Sequence, residues 1–148
     1  LSDIERKIGI AKYRGTDKYD SILSEVSVVY LYDNTEELIL YGDYIREFRL
    51  KSLHPLNLLS ICNATNLEKF IIGGFVFGGT PMATTISPIT ELLLPPNLQE
   101  LDIRALHLKE VYLPDSITLA IVNSKTFVVN QHDFIRNNNK VLRYVKFE

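Results

Sequence analysis

The sequence predicts a β-dominated α/β solenoid. It would be a right-handed coil of about five to six turns around a parallel sheet, with a capping helix at its N-terminal end. Three observations predict it. Ile89-Thr-Glu-Leu-Leu-Leu-Pro-Pro-Asn-Leu-Gln-Glu-Leu-Asp-Ile103 and Leu108-Lys-Glu-Val-Tyr-Leu-Pro-Asp-Ser-Ile-Thr-Leu-Ala-Ile-Val122 state one pattern twice, 19 positions apart. A unit of the form apolar-x-x-apolar-x-apolar keeps returning from Val26 onward. Proline follows two of these units, at Pro95 and Pro114, where it ends a strand because it cannot donate into a ladder.

Residues 1–25 are expected to form an N-terminal cap and residues 26–148 the solenoid. Ser2-Asp-Ile-Glu5 has the capping-box form, in which serine and glutamate satisfy the orphan amides of a first helical turn. Ile4 and Ile8 then share a face, so a short helix spans Asp3–Tyr13 and Gly15 ends it. Such a helix covers the open end of a stack, whose terminal coil needs a polar lid.

The units run Val26/Val29/Leu31, Thr35/Leu38/Leu40, Ile45/Phe48/Leu50, Leu56/Leu59/Ile61 and Leu67/Phe70/Ile72. They resume as Ile89/Leu92/Leu94, Leu98/Leu101/Ile103, Leu108/Val111/Leu113 and Ile117/Ala120/Val122, and Leu142/Val145/Phe147 closes the series. The last two members of each unit differ by two, the spacing of one face of a strand, and few units supply the i, i+3, i+4, i+7 pattern of a helix. The starts Val26, Ile45, Leu67, Ile89 and Leu108 lie 19, 22, 22 and 19 residues apart. That spacing assigns them to one regular strand per coil, with Thr35, Leu56, Leu98 and Ile117 on the return side. The return is a strand in some coils and helical in others, as at His54–Ile61, where Pro55 suits a first helical position. Gly73–Ser87, with Gly73, Gly74, Gly78, Gly79 and Pro81, reads as an enlarged loop. Thr126–Gln131 reads as a last half-coil, followed by a short turn or helix and a final strand over Val141–Phe147.

Leu94-Pro95-Pro96-Asn97-Leu98-Gln-Glu-Leu101-Asp-Ile103 and its echo Leu113-Pro-Asp-Ser-Ile117-Thr-Leu-Ala120-Ile-Val122 resemble leucine-rich repeats. They are most similar to the short variety with Leu-Pro at the turn, found in secreted bacterial effectors, and to the related Phe-Asn-Ile-Pro repeats. The clear match covers Ile89–Val122 and a looser one Val26–Phe147. The asparagine that such repeats place after the strand is absent, since Arg104-Ala-Leu106 follows Ile103. The resemblance implies a protein-binding solenoid; the effector kind carries a separate catalytic domain that has no counterpart here.

Composition bounds the function. The 148 residues suffice for one domain and are 46% hydrophobic and 23% charged, a globular balance. A net charge of −2 supplies no basic field for nucleic acid. No apolar run approaches the ~20 residues needed to span a bilayer. One cysteine, Cys62, cannot form an internal disulfide, which suits a reducing, cytoplasmic setting; the resemblance also allows a secreted effector.

No cofactor is expected and the chain reads as non-enzymatic. Cys62, His107, His132 and Asp133 include the residue types of a thiol nucleophile and base, but Cys62 ends an apolar unit as core thiols do. His54, His107 and His132 are dispersed without zinc-ligand spacing. Gly73–Thr80 lacks the lysine and hydroxyl of a phosphate-binding loop. The expected function is presentation of a rigid surface to another protein, by a monomer or a weakly self-associating chain. The candidate face is Glu47, Arg49, Lys51, Lys69, Ile71, Glu91, Leu93, Glu110 and Tyr112; mixed charge with an exposed aromatic suits an interface as well as a merely solvated face. The opposite register would expose Glu100, Asp102, Arg104, Leu119, Ile121 and Asn123. The alternatives are a self-associating structural subunit of a viral or surface assembly, and the recognition part of a larger effector enzyme.

Overall fold

Apolar residues two apart with a third just ahead can be buried only if coils stack, because one coil has no interior of its own. The computed structural model describes residues 28–31, 37–43, 45–51, 56–73, 76–77, 80–81 and 88–146, and these form such a stack. The strands are β1 (Val28–Leu31), β2 (Glu37–Gly42), β3 (Glu47–Lys51), β4 (Leu58–Ala64), β5 (Lys69–Gly73), β6 (Val76–Phe77), β7 (Thr80–Pro81), β8 (Glu100–Ile103), β9 (Glu110–Val111), β10 (Leu119–Asn123), β11 (Phe127–Val128) and β12 (Val141–Val145). Among the described residues one helix, α1 (Gln131–Ile135), precedes β12.

A six-stranded parallel sheet in the order β1-β3-β5-β8-β10-β12 forms one wall. In register, residue 28 pairs with 47, 47 with 69, 69 with 100, 100 with 119 and 119 with 141, steps of 19, 22, 31, 19 and 22 residues. The other wall is built from parallel pairs β2-β4 and β9-β11, with Glu91–Leu94 lying between them outside any strand. The walls enclose one apolar column. Phe48, Phe70, Leu101 and Ala120 form one inward rung, and the corner residues Ile45, Leu67, Leu98 and Ile117 are buried beside them. Phe48 and Phe70 stack with ring centroids 5.9 Å apart.

Side chains at the corners tie each coil to the one before. Asn66 Nδ2 donates to the Asp43 carbonyl at 2.9 Å, Asn97 Nδ2 to Thr65 at 2.8 Å and Ser116 Oγ to Leu98 at 2.6 Å. At the opposite corner Asn123 Nδ2 donates to the Arg104 carbonyl at 2.9 Å and Thr126 Oγ1 to Leu108 at 2.8 Å. These bonds satisfy carbonyls that turning corners withdraw from the ladders.

Two expectations are corrected. The described residues form a nearly all-β, right-handed β-solenoid of about four turns, and not an α/β coil of the leucine-rich type with five to six. Returns are strands or extended chain, and among the described residues the helix is five residues long. The expected helix at His54–Ile61 shows why. Leu56, Leu59 and Ile61 fit a helical stripe as well as a strand, but pairing Leu38 with Leu59 buries Leu59 and Ile61 on one strand face. The leucine-rich likeness therefore stops at the Leu-Pro phrase. The expected N-terminal cap, residues 1–25 with its helix, lies outside the described residues.

Within the expected loop Gly73–Ser87, β5 extends through Gly73 and β6 pairs antiparallel with β7. The final strand runs to Val145, with Phe147 outside the described residues.

Candidate functional site

The 31-residue step between Lys69 and Glu100 decides how surface residues are shared between the walls. Ile89/Leu92/Leu94 occupies the return position of that long coil, so Leu98/Leu101/Ile103 enters the six-stranded sheet. The candidate face is thereby divided. Glu47, Arg49, Lys51, Lys69 and Ile71 stand in the six-stranded sheet with Glu100, Asp102, Leu119 and Ile121 of the alternative set. Glu91, Leu93, Glu110 and Tyr112 stand on the other wall. Arg104 lies in the turn after β8, and Asn123 is 1% exposed and holds the corner.

On the six-stranded sheet Glu47, Arg49, Lys69, Glu100, Asp102 and the adjoining Arg104 form ion pairs among themselves. Lys69 Nζ lies 3.5 Å from Glu47 Oε1 and 3.4 Å from Glu100 Oε2, bridging three adjacent strands along one outward row. Its hydrogen bond to Glu100 and the charges of Glu100 and Glu47 hold the ammonium above its ordinary value of 10.5. Arg49 Nε is 3.6 Å from Glu47, and Arg46 Nη1 is 3.0 Å from Glu68. Arg104 turns back onto Asp102 in a two-pronged contact, Nε to Oδ1 at 3.0 Å and Nη2 to Oδ2 at 2.9 Å, and that bond raises the guanidinium further above its usual range. A partner docking here would have to break pairs already made.

The second wall differs. Leu93 is 75% exposed, Tyr112 61%, Phe127 61% and Val129 44%. Phe127 pairs in register with Glu110, and the Val129 amide donates to the Val111 carbonyl at 3.0 Å. The Lys109 amide donates to Thr90 at 2.9 Å, which sets Glu110 beside Glu91 and Tyr112 beside Leu93. Two outward rows result: Glu91-Glu110-Phe127 and, two residues along, Leu93-Tyr112-Val129. Among the described residues neither Glu91 nor Glu110 takes part in an ion pair. Exposed Lys109 stands at the corner before Glu110. Grooves of about 290 Å³ flank the Leu93 ridge. One is lined by residues including Glu91, Leu93, Glu110, Tyr112 and Val129, the other by residues including Ser60, Cys62, Glu91 and Leu93.

Phe127 and Val129 complete this apolar surface and are absent from the candidates read from sequence. A signal for both exists: Thr126 and Val128 are buried, so the residues between and after them face out.

The residue types of thiol chemistry lie on separate elements, Cys62 in β4, His107 in the connection between β8 and β9 and His132 with Asp133 in α1; His54 is outside the described residues. No group of three or more His, Cys, Asp or Glu among the described residues is placed to hold a metal ion. No described helix is long and apolar enough to cross a membrane. The fold and this surface define a class, a right-handed parallel β-solenoid with one wall carrying a network of ion pairs and one apolar, acidic wall. No family model, leucine-rich repeats included, matches the chain, and neither a characterised protein nor a solved structure does.

Proposed function

We propose that the chain is a non-catalytic interaction module that presents the Leu93-Tyr112-Val129 wall of its solenoid to a protein partner. One observation carries this reading. Large apolar side chains stand exposed in adjacent coils beside two carboxylates with no ion pair, whereas on the opposite wall Glu47, Lys69, Glu100 and Asp102 are already held in ion pairs. Contiguous exposed apolar surface in a polar frame is what a binding surface needs, and rigid stacking removes most of the ordering cost of docking. A reducing compartment suits the reading because Cys62, half-buried beside the second groove, stays a thiol there.

Tyr112 and Arg49 lie on different walls, so single substitutions separate the two surfaces. Photo-cross-linking groups at positions 112 and 49 in the chain's native host should give a protein adduct from 112 alone. Tyr112→Glu should abolish recovery of the same partner and Arg49→Glu should leave it intact. Equal recovery by both variants rejects the choice of wall.

A second reading, a self-associating subunit, rests on β12. It is the last strand of the six-stranded sheet and pairs with β10 alone among the described residues, and an open edge invites another strand. Sedimentation across a dilution series decides it: a monomer at every concentration removes this reading.

A further inference from the structure

We propose that the groove between Leu93 and Tyr112 takes an extended protein segment carrying a lysine or arginine two residues away from an apolar side chain. This rests on the protein-binding reading above and names the chemistry of the partner. The groove is acidic at one end, where Glu91 and Glu110 stand in neighbouring coils, and apolar at the other, between Leu93, Tyr112 and Val129. Glu91 and Glu110 line the same groove from neighbouring coils, so the two carboxylates repel and a cation between them relieves both. The acidic and apolar rows are two residues apart along the chain, about 6.6 Å where it is extended. An extended segment lying along the strands repeats its side chains at the same interval, which puts a basic group over the carboxylates and an apolar one over the Leu93-Tyr112 gap. At about 290 Å³ the groove has room for single side chains of a larger partner. Unpaired carboxylates repel phosphates, which disfavours nucleic acid. A second copy docked symmetrically on this wall would bring like charges together.

Three synthetic peptides test it, each nine residues long with serine spacers. One repeats lysine-serine-leucine, one replaces its lysines with glutamate and one replaces its leucines with serine. Titration into the whole labelled protein, followed by backbone amide shifts, should show saturable binding of the first peptide centred on residues 91–93 and 110–112. The other two peptides should bind about tenfold more weakly, as should the first peptide to a Glu91→Gln, Glu110→Gln double variant. Both glutamates are exposed, so the double variant should keep the wild-type melting curve. Absence of saturable binding, equal binding of the glutamate peptide or undiminished binding by the double variant overturns the proposal. Concentration-dependent dimerisation abolished by Tyr112→Glu also overturns it, since a second copy would then be the occupant. If the peptides fail while a partner is still lost with Tyr112→Glu, the chemistry inferred here is wrong and the protein-binding reading stands.

Discussion

Asn130 closes both ends of its amide on the backbone of Leu113. The Leu113 amide donates to Asn130 Oδ1 at 3.0 Å, and Asn130 Nδ2 donates to the Leu113 carbonyl at 2.7 Å. The side chain thus stands in for a strand partner one coil on, where the β9-β11 ladder has stopped and Pro114 turns the chain. Removing it leaves a donor and an acceptor beside the buried Leu113 without partners, at about 1–3 kcal/mol for each group left unsatisfied. Asn130→Ala should lower the urea midpoint and expose the Leu113 amide to hydrogen exchange. Asn130→Asp should also destabilise, because it keeps the acceptor but loses the donor facing the carbonyl. Stability equal to wild type in both variants would show that water replaces the clamp.

Gly42 ends β2 with φ at +92°, the one positive-φ residue among those described, and nothing lies within 4 Å of the place a Cβ would occupy. The requirement is therefore backbone conformation and not space. Gly42→Ala should cost about 1–2 kcal/mol, and Gly42→Asn less, since asparagine tolerates left-handed conformations best after glycine. Thermal melts of the two variants check the order; alanine at least as stable as asparagine contradicts it.

The inward half of the fold is legible in the sequence, because Phe48, Phe70, Leu101 and Ala120 must each repeat a position to meet their neighbours in the column. The sharing of strands between walls is not. Both walls use the same apolar-x-apolar unit, so Ile89/Leu92/Leu94 and Leu98/Leu101/Ile103 are interchangeable by pattern, and only the chain length used in the long coil tells them apart. Steps of 22 and 19 place Arg49 and Tyr112 in one series, although pairing puts Arg49 beside Ile71 and Asp102. Leu93 and Tyr112 are legible as outward residues. What makes their wall different, the Glu47-Lys69-Glu100 bridge on the other, depends on three strands brought together and has no linear signature.

Phe48 and Phe70, both essentially fully buried, stack across β3 and β5. Phe70→Ala should cost about 3–5 kcal/mol through lost burial and the cavity left behind, a large part of the about 5–15 kcal/mol a domain has. Phe70→Leu should recover most of it. In a double-mutant cycle with Phe48→Leu, the coupling should be about 0.5–1.5 kcal/mol, the worth of an aromatic pair beyond its area. Strict additivity would mean the rings contribute only bulk.

Lys69 bridges Glu47 and Glu100 across three strands, and the pH dependence of that bridge has a definite sign. The hydrogen bond to Glu100 comes first among the causes that raise the ammonium above 10.5, with the charges of Glu100 and Glu47 behind it. A raised folded pKa means the native state holds its proton more tightly than the unfolded chain does. The bridge's contribution is therefore complete below pH 10.5 and is lost as the pH climbs through the raised value. Carbon-13 shifts of the Lys69 ε-carbon should show a midpoint above that of a free lysine. Glu100→Gln should lower the midpoint more than Glu47→Gln does, because it removes the hydrogen-bonded carboxylate. The stability difference between wild type and Lys69→Met should narrow above pH 10.5 and stay constant from pH 7 to 9. A midpoint that Glu47→Gln moves further than Glu100→Gln would show that the stronger contact runs toward β3 and not toward β8.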